Sequence, residues 1–152
     1  MIVSDSTTLI ILFDLRRLEL LGNLFDEVYI TPIILEEISI KSPIMLPSFM
    51  SVKPLKDKTL FNTLKLLLDL GESEAIALAK EKNIAVIIDE KKGRKIAKDM
   101  DLKVIGLLGM IYLNVKKEYL TLEEAESFLD DAINHGYRIS KKLIEDTLSS
   151  LR

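Results

Sequence analysis

The sequence comprises 152 residues, 48% of them apolar, with 21 Lys and Arg against 24 Asp and Glu for a net charge of −3. That length suits one domain spanning 1–152 with a full core. The absence of Cys excludes a disulfide scaffold, thiol catalysis and a thiolate-held zinc or iron–sulfur site, and a lone His, His135, excludes most multi-histidine metal sites. With no overall positive field, any contact with nucleic acid must come from a local patch. Apolar runs are interrupted by Asp14, Asp69 or Lys103, short of a membrane span. The N-terminus lacks a basic region and carries Asp5 in its apolar stretch, so it does not read as a signal peptide. A cytoplasmic protein with no membrane partner is expected. A mean hydropathy of +0.21 points to apolar surface buried between subunits.

In chain order, MIVS reads as a strand ending near Asp5. A helix follows from Thr7 to Phe13, with Ser6 or Thr7 as its cap. Leu15, Leu18, Leu21 and Leu24 keep helical spacing, and Gly22 breaks it. EVYIT is a second strand. Thr31 then caps a helix with Pro32 in its first turn. SPIMLP is irregular, and Val52 to Leu55 reads as a small edge strand. Lys58 to Leu70 reads as a helix ended by Gly71, with a second opening at Glu72. IAVIID is a continuous apolar strand of the doubly buried, parallel type. KKGRKIAKDM is a short helix, LKVIG a strand, and LLGMIYLNVKKEYL an apolar helix. Thr121 and Glu124 form a capping box for the next helix, and SKKLIEDTLSSL is the last. His135 decorates the final turn before Gly136. Short apolar strands alternating with helices imply an α/β sandwich with a parallel sheet.

Asp5 follows the first strand, and Asp89 and Glu90 follow the fourth; carboxyl ends of parallel strands are where ligands bind. The plain alternative for Asp5 is a helix cap. Glu36 and Glu37 share a helix but point about 100° apart. Glu72 and Glu74 open a helix, where acids also complement the dipole. If Asp5, Glu37, Glu72 and Asp89 converge, a cation must neutralise them. An all-oxygen set selects Mg²⁺ or Mn²⁺, ions that clamp phosphate oxygens and activate water. The residues alone thus point to metal-dependent phosphoryl transfer or phosphodiester cleavage.

The ordered set MIVSDSTTLI, ITPIILEEI, GESEAIALA, IAVIIDEKKGRKIA and LKVIGLLGMI resembles the PIN-domain nucleases, most closely the VapC-like branch of small prokaryotic members. The resemblance covers Ile2 to about Leu120. It implies a Rossmann-like α/β/α sandwich with a mostly parallel sheet, an acidic cluster holding Mg²⁺ or Mn²⁺, and a homodimer. It also implies endoribonuclease activity by in-line hydrolysis leaving a 5′-phosphate, often as the toxin of a toxin–antitoxin pair with a small antitoxin protein. Asp5 matches the first motif and Glu37 the second. Glu72 stands where the family usually has Asp, with Glu74 as the alternative register. The fourth motif, usually Thr, any residue, then Asp, falls on IIDE; Asp89 is its match, with Glu90 adjacent.

Lys91, Lys92, Arg94 and Lys95 follow the fourth acid. They are either a solvated helix face or phosphate contacts for RNA beside the metal site. Two other readings stand beside the ribonuclease: a catalytically silent module that dimerises or binds a small protein, and a receiver-like phosphoacceptor. The receiver needs an acid pair at the first strand end, where only Asp5 stands. The leucine-rich helix LFNTLKLLLDL, apolar on more than one face, adds to the expectation of a dimer.

Overall fold

The computed structural model of the chain describes residues 1–41 and 43–152. Five strands, β1 (Ile2–Ser4), β2 (Val28–Ile30), β3 (Met50–Val52), β4 (Ala85–Ile87) and β5 (Val104–Ile105), form one sheet in the order β3-β2-β1-β4-β5. All four pairings are parallel, with Ile2 beside both Val28 and Ala85. The chain walks outward from β1 to β3, then returns to the other side of β1 for β4. The reversal lies between β1 and β4, and in open α/β sheets the crevice at such a point is where ligands bind.

The flanking helices are α1 (Ser6–Asp14), α2 (Glu19–Gly22), α3 (Pro32–Ile38), α4 (Thr59–Leu64), α5 (Leu70–Lys82), α6 (Lys91–Asp99), α7 (Leu107–Lys116), α8 (Leu122–Asn134) and α9 (Lys141–Ser149). The α/β architecture is the expected one, with the sheet parallel throughout. The core joins strand residues Ile2, Val3, Ile30, Val86 and Ile87 to Leu9, Leu12, Ile34, Ile76, Leu78, Leu107 and Ile111 of the helices. Buried Asn114 ties α7 to α2, donating from Nδ2 to Leu20 O at 2.9 Å. Every position from Gly71 to Ala79 of α5 is buried, and the run of Gly, Ser and Ala there admits neighbours on all sides.

Several element boundaries differ from the expected ones. Asp5, not Ser6 or Thr7, caps α1, because its carboxylate reaches Thr8 N. The leucine-spaced helix shrinks to the four residues of α2, since Arg16 turns left-handed at φ 57° and breaks the chain direction. The third strand starts at Met50 rather than Val52. The helix expected from Lys58 to Leu70 stops at Leu64. Gly71 does not end it but lies inside α5, because Asp69 caps α5 through Glu72 N at 2.8 Å. Thr31, Pro32 and the Thr121–Glu124 capping box stand as expected, and His135 is the C-cap residue of α8. The irregular stretch expected at SPIMLP starts on residue 42, outside the described residues. Among the described residues, no helix is long and apolar enough to cross a membrane.

Candidate functional site

Asp5 sits where β1 ends, 4% exposed. Its Oδ1 accepts from Thr8 N at 3.1 Å and its Oδ2 from Asp89 N at 2.9 Å, so one carboxylate caps α1 and ties the end of β1 to the end of β4. Those bonds favour the charged form. Burial outweighs them, with the Asp89 charge adding to it, and the Asp5 carboxyl is pushed up to about 7. The cap reading and the site reading of Asp5 therefore describe one side chain in one place.

Glu72 is buried in the first turn of α5. Burial, then the charges of Asp69, Glu90 and Asp5, push its carboxyl up to about 9. Oxygens of Asp69, Glu72 and Glu90 all lie within 4.8 Å of one another. Glu72 reaches across to the start of α6, where a side chain at position 93 would collide with it: a Cβ on Gly93 would stand 2.6 Å from Glu72 Oε1 and 2.9 Å from Ile88 Cγ2.

Glu37 is half-buried on α3, while Glu36 is exposed. Among the described residues Glu37 Oε1 is buried without a hydrogen-bond partner, and a Cβ on Gly71 would overlap it. Burial, with the charges of Asp69 and Glu74, pushes the Glu37 carboxyl above its ordinary range, partly offset by the Ser6 hydroxyl. Glu74 is spent locally: its Oε1 accepts from Ile33 N at 2.9 Å and holds the start of α3. Asp89 Oδ1 accepts from Leu107 N at 3.2 Å and from the Tyr137 hydroxyl at 3.1 Å, fixing the start of α7 and the turn after α8. Its Oδ2 is not engaged in those bonds. Burial and the neighbouring Asp89 charge keep the Tyr137 hydroxyl protonated far above its ordinary value.

Of the expected carboxylates, Glu72 and Glu90 come within 4.8 Å of one another, together with Asp69, while Asp5 is bonded to Asp89 N and, like Glu37, is not part of that tight group. The tight triad contains Glu90, whereas the Asp89 side chain turns to α7 and Tyr137. Asp69 was not among the expected site residues. Its signal was present, an acid three residues before a helical Glu in the pattern of an N-terminal cap, but reading Gly71 as a helix end placed Asp69 inside the preceding helix.

The geometry suits a hard divalent cation. The donors are all carboxylate oxygens, Glu37 Oε1 has no hydrogen-bond partner among the described residues, and glycines at 71 and 93 leave room for the carboxylates where a Cβ would collide. Like charges held this close around the buried Glu72 favour either protons or a cation.

A family model described as PIN domain matches residues 1–152. The chain belongs to the PIN-domain family. No curated protein matches it. The PIN domain is a nuclease-like fold, typically metal-dependent, and the acidic group of this PIN domain lies at the carboxyl edge of its sheet.

Of the basic run, Lys95 pairs with Asp99 at 3.0 Å, and Arg94 is half-buried, donating from Nη1 to Asp89 O at 3.0 Å. Lys91 and Lys92 are exposed at the start of α6. The four residues therefore do not act alike: Arg94 is held against the acidic edge, and Lys95 is already paired.

Proposed function

We propose that this single PIN domain is an endoribonuclease dependent on Mg²⁺ or Mn²⁺. The observation that carries the reading is the acidic group of Asp69, Glu72 and Glu90 at the carboxyl edge of the sheet, with buried Asp5 bonded to Asp89 N nearby and a buried Glu37 oxygen that has no hydrogen-bond partner among the described residues. Asp5, Glu37, Glu72 and Glu90 would hold the ion, with Asp69 and Asp89 as further carboxylates of the same edge. When bound, the ion would supply charge neutralisation at a phosphate and a more acidic water for in-line hydrolysis. Asp5 ties the ends of β1 and β4 together by accepting from Asp89 N, and caps α1 by accepting from Thr8 N. Asp69 holds Glu72 at the start of α5. Arg94, anchored on Asp89 O, presents its remaining N–H groups to phosphate oxygens, and Lys91 and Lys92 add charge at the approach.

The resemblance to the VapC-like branch supports a toxin role, a small antitoxin protein as partner, and a cytoplasmic setting. Exposed Leu66 (80%), Leu67 (52%) and Leu70 (53%), in and beside the leucine-rich segment, support a homodimer. Light scattering near twice 17.2 kDa is the expected result, and a mass near 17.2 kDa at micromolar protein would remove the dimer.

The nuclease reading is tested by incubating the purified chain with mixed structured RNAs, with Mn²⁺ or with EDTA. Cleavage that needs the metal and disappears in Asp5→Asn is expected. A second reading, a silent interaction module, draws on the use of both Asp5 oxygens as backbone acceptors. Absence of cleavage with every divalent ion would favour it.

A further inference from the structure

We infer that the cavity beside the acidic group is a nucleotide subsite, taking a backbone phosphate of single-stranded RNA adjacent to the bond being cut; this rests on the nuclease reading above. The cavity, about 520 Å³, lies between α1, the start of α6 and the turn after α8. Asp89 and Glu90 form one wall, so it begins where the acidic group ends.

Its cations are Lys91, Arg94 and Arg138. Among the described residues, none of the three forms an ion pair with a carboxylate. Arg94 is pinned by its bond to Asp89 O, which orients a planar fork whose other N–H groups suit phosphate oxygens. His135 is engaged elsewhere, with Nε2 2.8 Å from Asp14 Oδ2, and serves as wall rather than ligand. Ile10 and Ile11 of α1 give an apolar lining against which a ribose or base face packs.

A broader depression, about 930 Å³, runs along α6 past Lys92, Lys95 and Lys98, and shares Glu90, Lys91 and Arg94 with the first. A phosphate chain leaving the cavity therefore continues over further cations. That continuity favours a strand over a free mononucleotide, and it lets a chain of net charge −3 hold a polyanion by local charge alone. Arg138 is contributed by the segment after α8, outside the motifs that place the acidic residues.

The test is fluorescence anisotropy with a labelled single-stranded oligoribonucleotide in EDTA, where metal-dependent cleavage does not intervene. Arg138→Ala is expected to weaken binding about tenfold and to lower the slope of log K against log salt by about 1. Arg138→Lys should retain most of the affinity. Lys103→Ala removes the same charge at the opposite edge of the sheet and should bind as the wild type does. Equal affinities for Arg138→Ala and Lys103→Ala overturn the subsite, as does a wild-type protein that does not bind the RNA. The nuclease reading fails separately: binding that depends on Arg138 in a protein that cleaves nothing keeps the subsite and removes the nuclease.

Discussion

The two edges of the one sheet handle charge in opposite ways. At the amino edge, around Met1, Asn83, Asp101 and Lys103, the charged side chains are exposed, and the chain turns through left-handed residues Asn83 and Asp101 at φ 54° and 63°. The polar groups there are met by local backbone bonds, such as Ile84 N to Ala79 O at 3.0 Å. At the carboxyl edge Asp5, Glu72 and Glu74 are buried, Glu37 is half-buried, and none has a basic partner. Folding alone would not select that arrangement, since unpaired buried carboxylates destabilise the metal-free chain. The difference supports the proposal that function sits at the carboxyl edge and plain connection at the other.

The largest effect that would break this contrast is on activity. Glu72→Gln or Glu90→Gln should reduce metal-dependent RNA cleavage by more than about 100-fold, since even outer-shell partners of metal ligands matter 10–100-fold. Lys103→Ala at the amino edge should leave cleavage unchanged. Initial rates with Mn²⁺ would check both.

Next in size is the pH dependence of the metal-free protein. The Asp5 carboxyl lies at about 7 in the folded chain against its ordinary 3.8. Between those values the folded state keeps a proton that the unfolded state has lost. The stability from Asp5 is therefore complete below about pH 3.8 and lost as pH rises to about 7, a fall of at most about 4 kcal/mol. Glu72 acts in the same sense, from its ordinary 4.5 up to about 9. Asp57 and Glu124, held low by Thr59 and by the Thr121 cap, act oppositely, but both are exposed. Urea melts in EDTA should show lower stability at about pH 8 than at about pH 5.5, and Asp5→Asn should flatten the fall. Stability that rises across this range would contradict the burial argument.

A smaller effect follows from Gly93. Gly93→Ala places a methyl against Glu72 Oε1 and Ile88, and should destabilise by about 1–3 kcal/mol while weakening the Mn²⁺-induced rise in melting temperature. Smallest is Asn83→Ala at the amino edge, about 1 kcal/mol for a non-glycine held left-handed, with the metal response intact. Thermal melts with and without Mn²⁺ would check both variants. A Gly93→Ala protein with an unaltered metal response would separate Glu72 from the metal.

Four of the five strands were legible because each is short, apolar and bounded by acids, Gly or Pro; the third, expected from Val52 to Leu55, lies at Met50–Val52. The caps at Thr31 and Thr121 were legible because the Thr side chain and its backbone partner lie three residues apart. The α4–α5 boundary was not. Leu64, Leu66, Leu67, Leu68 and Leu70 read as one apolar helix, yet Leu66 and Leu67 are exposed while Leu64 and Leu68 are buried. The sequence pattern carries no record that Asp69 turns its carboxylate onto Glu72 N. That same missed cap hid Asp69 from the acidic group. Asp89 and Glu90 could not be ordered from sequence because their division of labour depends on Leu107 and Tyr137, distant in the chain. Arg138 lies beyond every motif and joins the site only through the turn after α8.

The most direct test of the claim that these carboxylates form a metal site is a Mn²⁺ titration followed by thermal melting of the wild type and Glu72→Gln. The wild type should gain about 2.7 kcal/mol when the ion stands at 100 times its Kd, and Glu72→Gln should lose most of that gain. Equal shifts in the two proteins, or no shift in the wild type, would contradict it.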